Sequence, residues 1–277
     1  MSESSAIAFG GFFRFPSRPS SAILPSAMSE TDPSCPFPET ADIHTSSDEY
    51  AGRFAGAAGQ WMLDVQERLT KRILRPYPGA SILDVGGGHG QLAIPLSAAG
   101  HPVTILSSDE SCKHRVRSIV DSGAAKFVVG NVVDLPFPDA SFDVVISFRL
   151  MTHCSVWPRL AAELCRVARL AVVIDYPTSQ SVNAIAPALF GAKKKFEKNT
   201  RTWTLFRHAQ IDKAFADVSW RRDACCKQFA LPMVVHRMLK CRALSAGAEA
   251  VCRGLGLTAL FGSPVIARFV PVKPKAT

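Results

Sequence analysis

No stretch of this 277-residue chain stays apolar over the roughly 20 residues that a bilayer-crossing helix requires, because Arg, Lys, His or Pro interrupts every candidate. Its eight cysteines form no CxxC pair and show no Cys/His ligand spacing, which argues against a zinc site and against a disulfide framework. They read as reduced, small apolar residues of a cytoplasmic protein, with no metal expected. No internal repeat is visible. The polar, apolar-poor composition of a disordered chain is also missing: 47% of residues are apolar and 20% charged, enough for a sizeable core. One globular domain with appendages is expected.

Acidic residues are scarce in the last third. Residues 1–47 carry 2 basic and 5 acidic side chains, residues 48–168 carry 12 and 12, and residues 169–277 carry 18 and 6, so the net charge of +9 arises wholly in the C-terminal portion. That asymmetry fits an acidic ligand, an anionic membrane surface or a nucleic acid, or else a plain solvated basic face.

The first 47 residues are rich in Ser and Pro, lack a helical or strand period, and read as a disordered tail. A true start at Met28 accounts for the same composition; a targeting peptide would want more Arg, and a secretory signal an unbroken apolar core. From Asp48 the period changes. Ser46 or Ser47 can cap a helix through Phe54, and Trp61, Leu63, Val65, Leu69, Ile73 and Leu74 recur at helical spacing until Pro76 and Pro78. Short apolar runs follow at 81–85, 103–107, 126–129, 142–147 and 170–175. Segments starting near Gln91, Ser111 and Trp157 have the length and polarity of covering helices. Near-continuous apolar strands are those buried on both faces, so the expected fold is α/β, a doubly wound, mostly parallel sheet. The domain is expected to span 48–277, with residues 231–262 as a helical insertion between two C-terminal strands.

A strand ending in Asp84 is followed by Gly86, Gly88 and Gly90. Glycines at this spacing let the backbone approach a ligand, since no Cβ intrudes. A dinucleotide site would want its third glycine where Gln91 stands, which disfavours a nicotinamide cofactor.

Three stretches carry a family resemblance: ILDVGGGHG at 82–90, GNVVDLPFPDASFDVVIS at 130–147 and FRLMTHCSVWPRLAAELCRVAR at 148–169. Together they resemble class I S-adenosylmethionine-dependent methyltransferases of the type 11 branch, which includes quinone-biosynthesis and sterol-type enzymes. The resemblance covers residues 81 to about 175 and implies a seven-stranded, Rossmann-like methyltransferase fold with S-adenosyl-L-methionine as cofactor. It implies that Asp84 and the backbone of Gly86, Gly88 and Gly90 hold the methionine portion, that Asn131 and Val132 meet the adenine, and that Phe148 and Arg149 line the methionine end. Asn131 also suits an adenine edge on chemical grounds, offering a donor and an acceptor, although it equally fits a turn. In similar enzymes the N-terminal helix closes over the cofactor, which implicates Tyr50, Arg53 and Phe54; an Arg there can pair the cofactor carboxylate.

One departure concerns the ribose. The family places an acidic residue at the end of the second strand, where this chain has Ser107, followed by Ser108. Either Asp109 reaches the ribose, the reading favoured here, or hydroxyls make weaker bonds in its place.

The sequence after the fourth strand is SFRL and lacks the [DN]PP[YFW] pattern of enzymes that methylate nucleobase or glutamine nitrogens. His153 lies where an acceptor should dock and is the candidate general base, though a capping histidine fits equally. His89, His208 and His236 are weaker candidates. Residues 176–206 and 231–262 are expected to form the substrate-side cap, apolar and cationic, suited to a small hydrophobic or anionic acceptor such as a lipid or quinone-like metabolite. Peripheral contact with an anionic membrane surface is expected, and nucleic acid is not. RNA methylation and a non-catalytic, cofactor- or partner-binding descendant are the competing readings.

Overall fold

The structure is a computed structural model that describes residues 37–181 and 203–273. Met28, most of the Ser/Pro-rich tail and the AIAPALFG and KKKFEK stretches of the first cap segment lie outside the described residues. Helices α1 (Ala41–Thr45), α2 (Asp48–Gly52) and α3 (Gly56–Leu74) precede strand β1 (Ile82–Val85). Then come α4 (Ala93–Ala98), β2 (Val103–Ser107), α5 (Arg117–Asp121), β3 (Ala125–Val129), β4 (Phe142–Ser147), α6 (Trp157–Val167) and β5 (Ala168–Tyr176). The C-terminal part contains α7 (His208–Ala216), β6 (Trp220–Phe229), α8 (Met233–Leu239), α9 (Arg242–Gly254), α10 (Leu257–Phe261) and β7 (Ser263–Pro271).

The seven strands form one sheet in the order β3-β2-β1-β4-β5-β7-β6. β1 to β5 pair in parallel, and β7 runs antiparallel to β5 and to β6. Two apolar clusters, one on each face, follow from the two-residue period of the strands. Leu83, Val85, Val145, Val172 and Ile174 enter one cluster, while Ile82, Val144, Ile146, Ala171 and Val173 enter the other with Trp61, Val65, Leu69 and Ile73 of α3. By the same alternation Asp84 and Asp175, near the carboxyl ends of β1 and β5, share the α3 face. Full burial of each Leu, Ile or Val side chain contributes about 1.5–3 kcal/mol, so this face fixes α3 firmly.

Two expectations are revised. The tail does not run structureless to residue 47: Ala41–Thr45 is helical, and Asp42 is fully buried. Its polar composition hid this, because α1 is held by hydrogen bonds to distant loops. The segment from Ser111 is a 3-10 stretch, Glu110–Arg115, followed by the five-residue α5, which buries no residue. Cys112 and Val116 are buried there, and Ile119 and Val120 pack against the core only partly buried, too little apolar surface to draw a full helix inward. The insertion between β6 and β7 is three helices, separated by left-handed Lys240 (φ 52°) and Gly256 (φ 75°).

Candidate functional site

The carboxyl ends of β1, β2, β4 and β5 bring polar side chains together on an otherwise apolar sheet, as expected of an open parallel sheet, whose ligands sit at this edge. Gly86 (φ 77°) and Gly90 (φ 73°) bracket a 3-10 turn at Gly87–His89, both in the left-handed region that a Cβ disfavours. At Gly88 a Cβ would stand 2.6 Å from Ser46 Oγ and 2.7 Å from the Cys112 carbonyl oxygen. The glycine loop is thus in close contact with α1 and with the turn after β2.

Asp84 is fully buried, and neither carboxylate oxygen has a hydrogen-bond partner among the described residues. Burial raises its pKa to about 7. His89 is buried too. Its Nδ1 accepts from the Gln91 N–H at 3.2 Å, and Nε2 has no hydrogen-bond partner among the described residues. Burial, reinforced by the Arg149 guanidinium, lowers the imidazole pKa to about 3, so the ring is neutral.

After β4 the chain passes through fully buried Phe148 to Arg149, whose φ is 62°. The Arg149 N–H donates to Asp175 Oδ1 at 2.6 Å, and its Nη2 donates to Gln66 Oε1 at 3.1 Å. The guanidinium lies 4.0 Å from the Phe54 ring centroid and 5.9 Å from that of Tyr50. By hydrogen-bond geometry its Nη1 has no partner among the described residues, although the Tyr50 side chain also acts on the guanidinium. Asp175 has its pKa raised to about 6 by burial, opposed by the Arg149 N–H and charge. Tyr50 and Phe54 of the YxxRF group therefore face this site through Arg149. Arg53 is half-buried and stacks over the Tyr50 ring at 4.9 Å.

A strap formed by residues 39–54 runs across the sheet edge. Glu39 accepts from the Ser155 N–H at 2.9 Å and from the Ser155 hydroxyl, Asp42 accepts from Ser108, and Asp48 pairs with Arg115 at 2.7 Å. Ser47 caps α2 through the Tyr50 N–H at 3.2 Å.

Other candidates are less centrally placed. The Asp109 carboxylate accepts from the Ser111 N–H at 2.8 Å and caps the Glu110–Arg115 turn. Asn131 Oδ1 accepts from the Val133 N–H at 3.0 Å, an Asx turn, and Val132 is buried. His153 closes a 3-10 turn, Met151–His153, and is half-buried. That turn neighbours the glycine loop, since Leu150 Cδ2 would lie 3.1 Å from a Cβ on Gly86. His208 bonds the Tyr176 hydroxyl at 2.7 Å, and His236 pairs with Glu249 at 3.2 Å, each within a local packing cluster. Asp42, Gln66 and Asp175 are the site residues that the sequence reading missed. Asp175 had a signal, a carboxylate ending a buried strand; Asp42 and Gln66 had none.

Residues 83–171, about a third of the chain, match the family model of a methyltransferase domain. The chain is 31% identical over 134 residues to a malonyl-[acyl-carrier protein] O-methyltransferase of Serratia marcescens, covering 46% of this chain and 51% of that one. It is 28% identical over 166 residues to the protein of that name from Pectobacterium atrosepticum, covering 59% and 64%. The chain thus spans between half and two thirds of the length of these relatives. Among solved structures, magnesium protoporphyrin IX methyltransferase from Synechocystis PCC 6803 with bound SAH superposes with a TM-score of 0.56 at 13% identity, covering 83% of this chain and 98% of that one. The fold is that of the Rossmann-like methyltransferases, and the similarity to the methyltransferase-domain family lies over residues 83–171.

Proposed function

We propose that the chain transfers the methyl group of S-adenosyl-L-methionine to a small hydrophobic or anionic acceptor. The observation that carries this reading is the set of buried polar atoms around the glycine loop with no hydrogen-bond partner among the described residues: both Asp84 oxygens, His89 Nε2, Ser107 Oγ and Arg149 Nη1. Leaving such atoms unsatisfied costs about 1–3 kcal/mol each, so a cluster of them fits a site made for a polar ligand. A cofactor with an amino-acid end, a ribose and an adenine suits that donor and acceptor set.

When bound, this cofactor supplies an electrophilic methyl group together with its leaving group, and the protein's task is chiefly to position. Asp84 offers a carboxylate to the ammonium end, and Arg149 offers a buried cation to the carboxylate end. Gly86 and Gly90 shape the loop, Val132 and Phe148 wall it, Asn131 flanks the adenine side, and the strap residues Tyr50 and Arg53 cover it. Asp109, as a turn cap at the end of β2, is the least suited of the proposed cofactor residues. His153 is the proposed base for an acceptor that carries a proton, such as a phenol; an ionised carboxylate needs none. The relatives named malonyl-[acyl-carrier protein] O-methyltransferases favour an acyl-type, anionic acceptor.

The cap between β6 and β7 supports an acceptor drawn from a lipid surface. Met238, Leu244, Val251, Leu255 and Leu260 are exposed beside Arg237, Lys240, Arg242 and Arg253. No helix among the described residues is long and apolar enough to cross a membrane, so the contact would be peripheral.

Isothermal titration with S-adenosylmethionine and S-adenosylhomocysteine tests the reading, with saturable binding expected. Undetectable binding at millimolar cofactor would sink it in favour of a partner-binding descendant, the reading motivated by Ser107 in place of an acid. Labelled-methyl assays on acyl carboxylates and on phenols then separate acceptor classes.

A further inference from the structure

The geometry points to Asp42, carried by the strap, as the carboxylate that receives the cofactor's ribose diol in place of the acid missing from the end of β2. This rests on the proposed S-adenosylmethionine site and adds a residue to it. β2 ends at Ser107, and the next residue, Ser108, donates twice to Asp42: its N–H to Oδ2 at 2.6 Å and its hydroxyl to Oδ1 at 2.6 Å. Both oxygens are thereby fixed in orientation. Oδ2 also takes the weak Cys112 S–H donor, 3.9 Å away, so Oδ1 is the oxygen with lone-pair capacity left for a hydroxyl of a vicinal diol.

The carboxylate also stands beside the glycine loop, since Asp42 Cβ would lie 3.5 Å from a Cβ on Gly86. It is fully buried, and among the described residues no Lys or Arg forms an ion pair with it. Cys112 Sγ, 3.9 Å from Oδ2, is its other side-chain neighbour. A buried carboxylate held by neutral donors alone is costly unless further donors reach it. Close by, the Ser107 hydroxyl is buried without a partner among the described residues, a second polar group able to bond the ribose. Asp109, the alternative acid, is occupied as a cap.

The strap brings Asp42 to this place independently of the β2 sequence. Glu39 is anchored at Ser155 and Asp48 at Arg115, so the chain between them must cross the end of β2. The ribose acid is therefore supplied from outside the β2 loop, which leaves a serine in that loop as its tether.

The test is a binding cycle by calorimetry on the full chain, with S-adenosylhomocysteine and its 2′-deoxy counterpart as probes. The wild type should bind the deoxy compound more weakly. Asp42→Asn should bind S-adenosylhomocysteine about 10- to 100-fold more weakly, the range for hydrogen bonds to a charged group, and should discriminate little between the two probes. Ser108→Ala, which keeps the carboxylate and removes one tether, should fall between wild type and Asp42→Asn; it keeps the test open if Asp42→Asn does not fold. Undiminished affinity and discrimination in a folded Asp42→Asn, or in Ser108→Ala where the first variant fails to fold, would overturn the inference while leaving the cofactor site standing. Tighter binding by either variant would also overturn it and would show that α1 obstructs the site. A wild type that binds neither probe would bring down the proposed function itself.

Discussion

Arg149 adopts a left-handed backbone, φ 62°, and in that conformation its N–H reaches Asp175 Oδ1 at 2.6 Å. The same residue sends its guanidinium across the Phe54 ring to Gln66. One strained residue thus links β4, β5, α3 and the strap. Arg149→Ala removes a buried cation from beside Asp175 and is expected to cost about 3–5 kcal/mol. Arg149→Gly keeps the N–H bond and relieves the strain, and should be about 1 kcal/mol less destabilising than Arg149→Ala. Urea unfolding of the three proteins measures both differences; equal stability of the two variants would contradict the strain argument.

Asp84 gives a pH signature. Its folded pKa, about 7, lies above the ordinary 3.8 because burial disfavours the charge. The folded state therefore holds the proton more tightly than the unfolded chain, and this contribution is complete below about pH 4 and lost as pH rises through 7. The wild-type minus Asp84→Asn difference in unfolding free energy should fall by on the order of 4 kcal/mol across that window. A flat difference would mean that the carboxylate titrates normally. Cofactor binding should be weakened in Asp84→Asn above pH 7, and the difference from wild type should narrow below pH 7 as the wild-type carboxylate protonates.

Gly88→Ala places a methyl group against Ser46 Oγ and the Cys112 carbonyl, at 2.6 and 2.7 Å. The serine can rotate, but the carbonyl cannot yield without moving the turn after β2. A loss of about 1–3 kcal/mol in thermal or urea unfolding is expected, together with loss of cofactor binding. Ser46→Gly in the same chain should recover only part of it.

Glu249 ties the insertion to the sheet. It accepts from the N–H groups of Ala230 and Leu231 at 3.0 and 2.8 Å and from buried His236 at 3.2 Å. These bonds hold its pKa below the ordinary value against the opposing effect of burial. Glu249→Ala strands three donors and should cost about 2–4 kcal/mol, with amide exchange rising first over residues 233–261. Uniform exchange across the molecule would show that the insertion is not a separate unit.

The exposed apolar and cationic cap should bind vesicles of mixed phosphatidylglycerol and phosphatidylcholine. Leu244 and Leu255 are 59% and 70% exposed. Replacing both by Asp should weaken vesicle partitioning at least tenfold, since each Leu transfer contributes about 1.5–3 kcal/mol. Binding to RNA with a steep salt dependence, and none to vesicles, would redirect the acceptor toward nucleic acid.

The sequence by itself determined the sheet and its glycine loop, because both depend on local pattern. Continuous apolar runs such as FDVVIS can satisfy their side chains only inside a two-sided sheet, and glycines at 86, 88 and 90 mark where backbone must turn tightly. Tertiary structure alone decided the rest of the site. Asp42, 66 residues before Ser108, sits in a polar stretch that reads as tail, and only its bonds across that separation make it helical and buried. Gln66 is one polar position among several on α3, and the tertiary fold sets Asp175 of β5 opposite it, 3.4 Å away. Such long-range pairs leave no period or motif in the chain, since the burial that makes them necessary exists only once the sheet has formed.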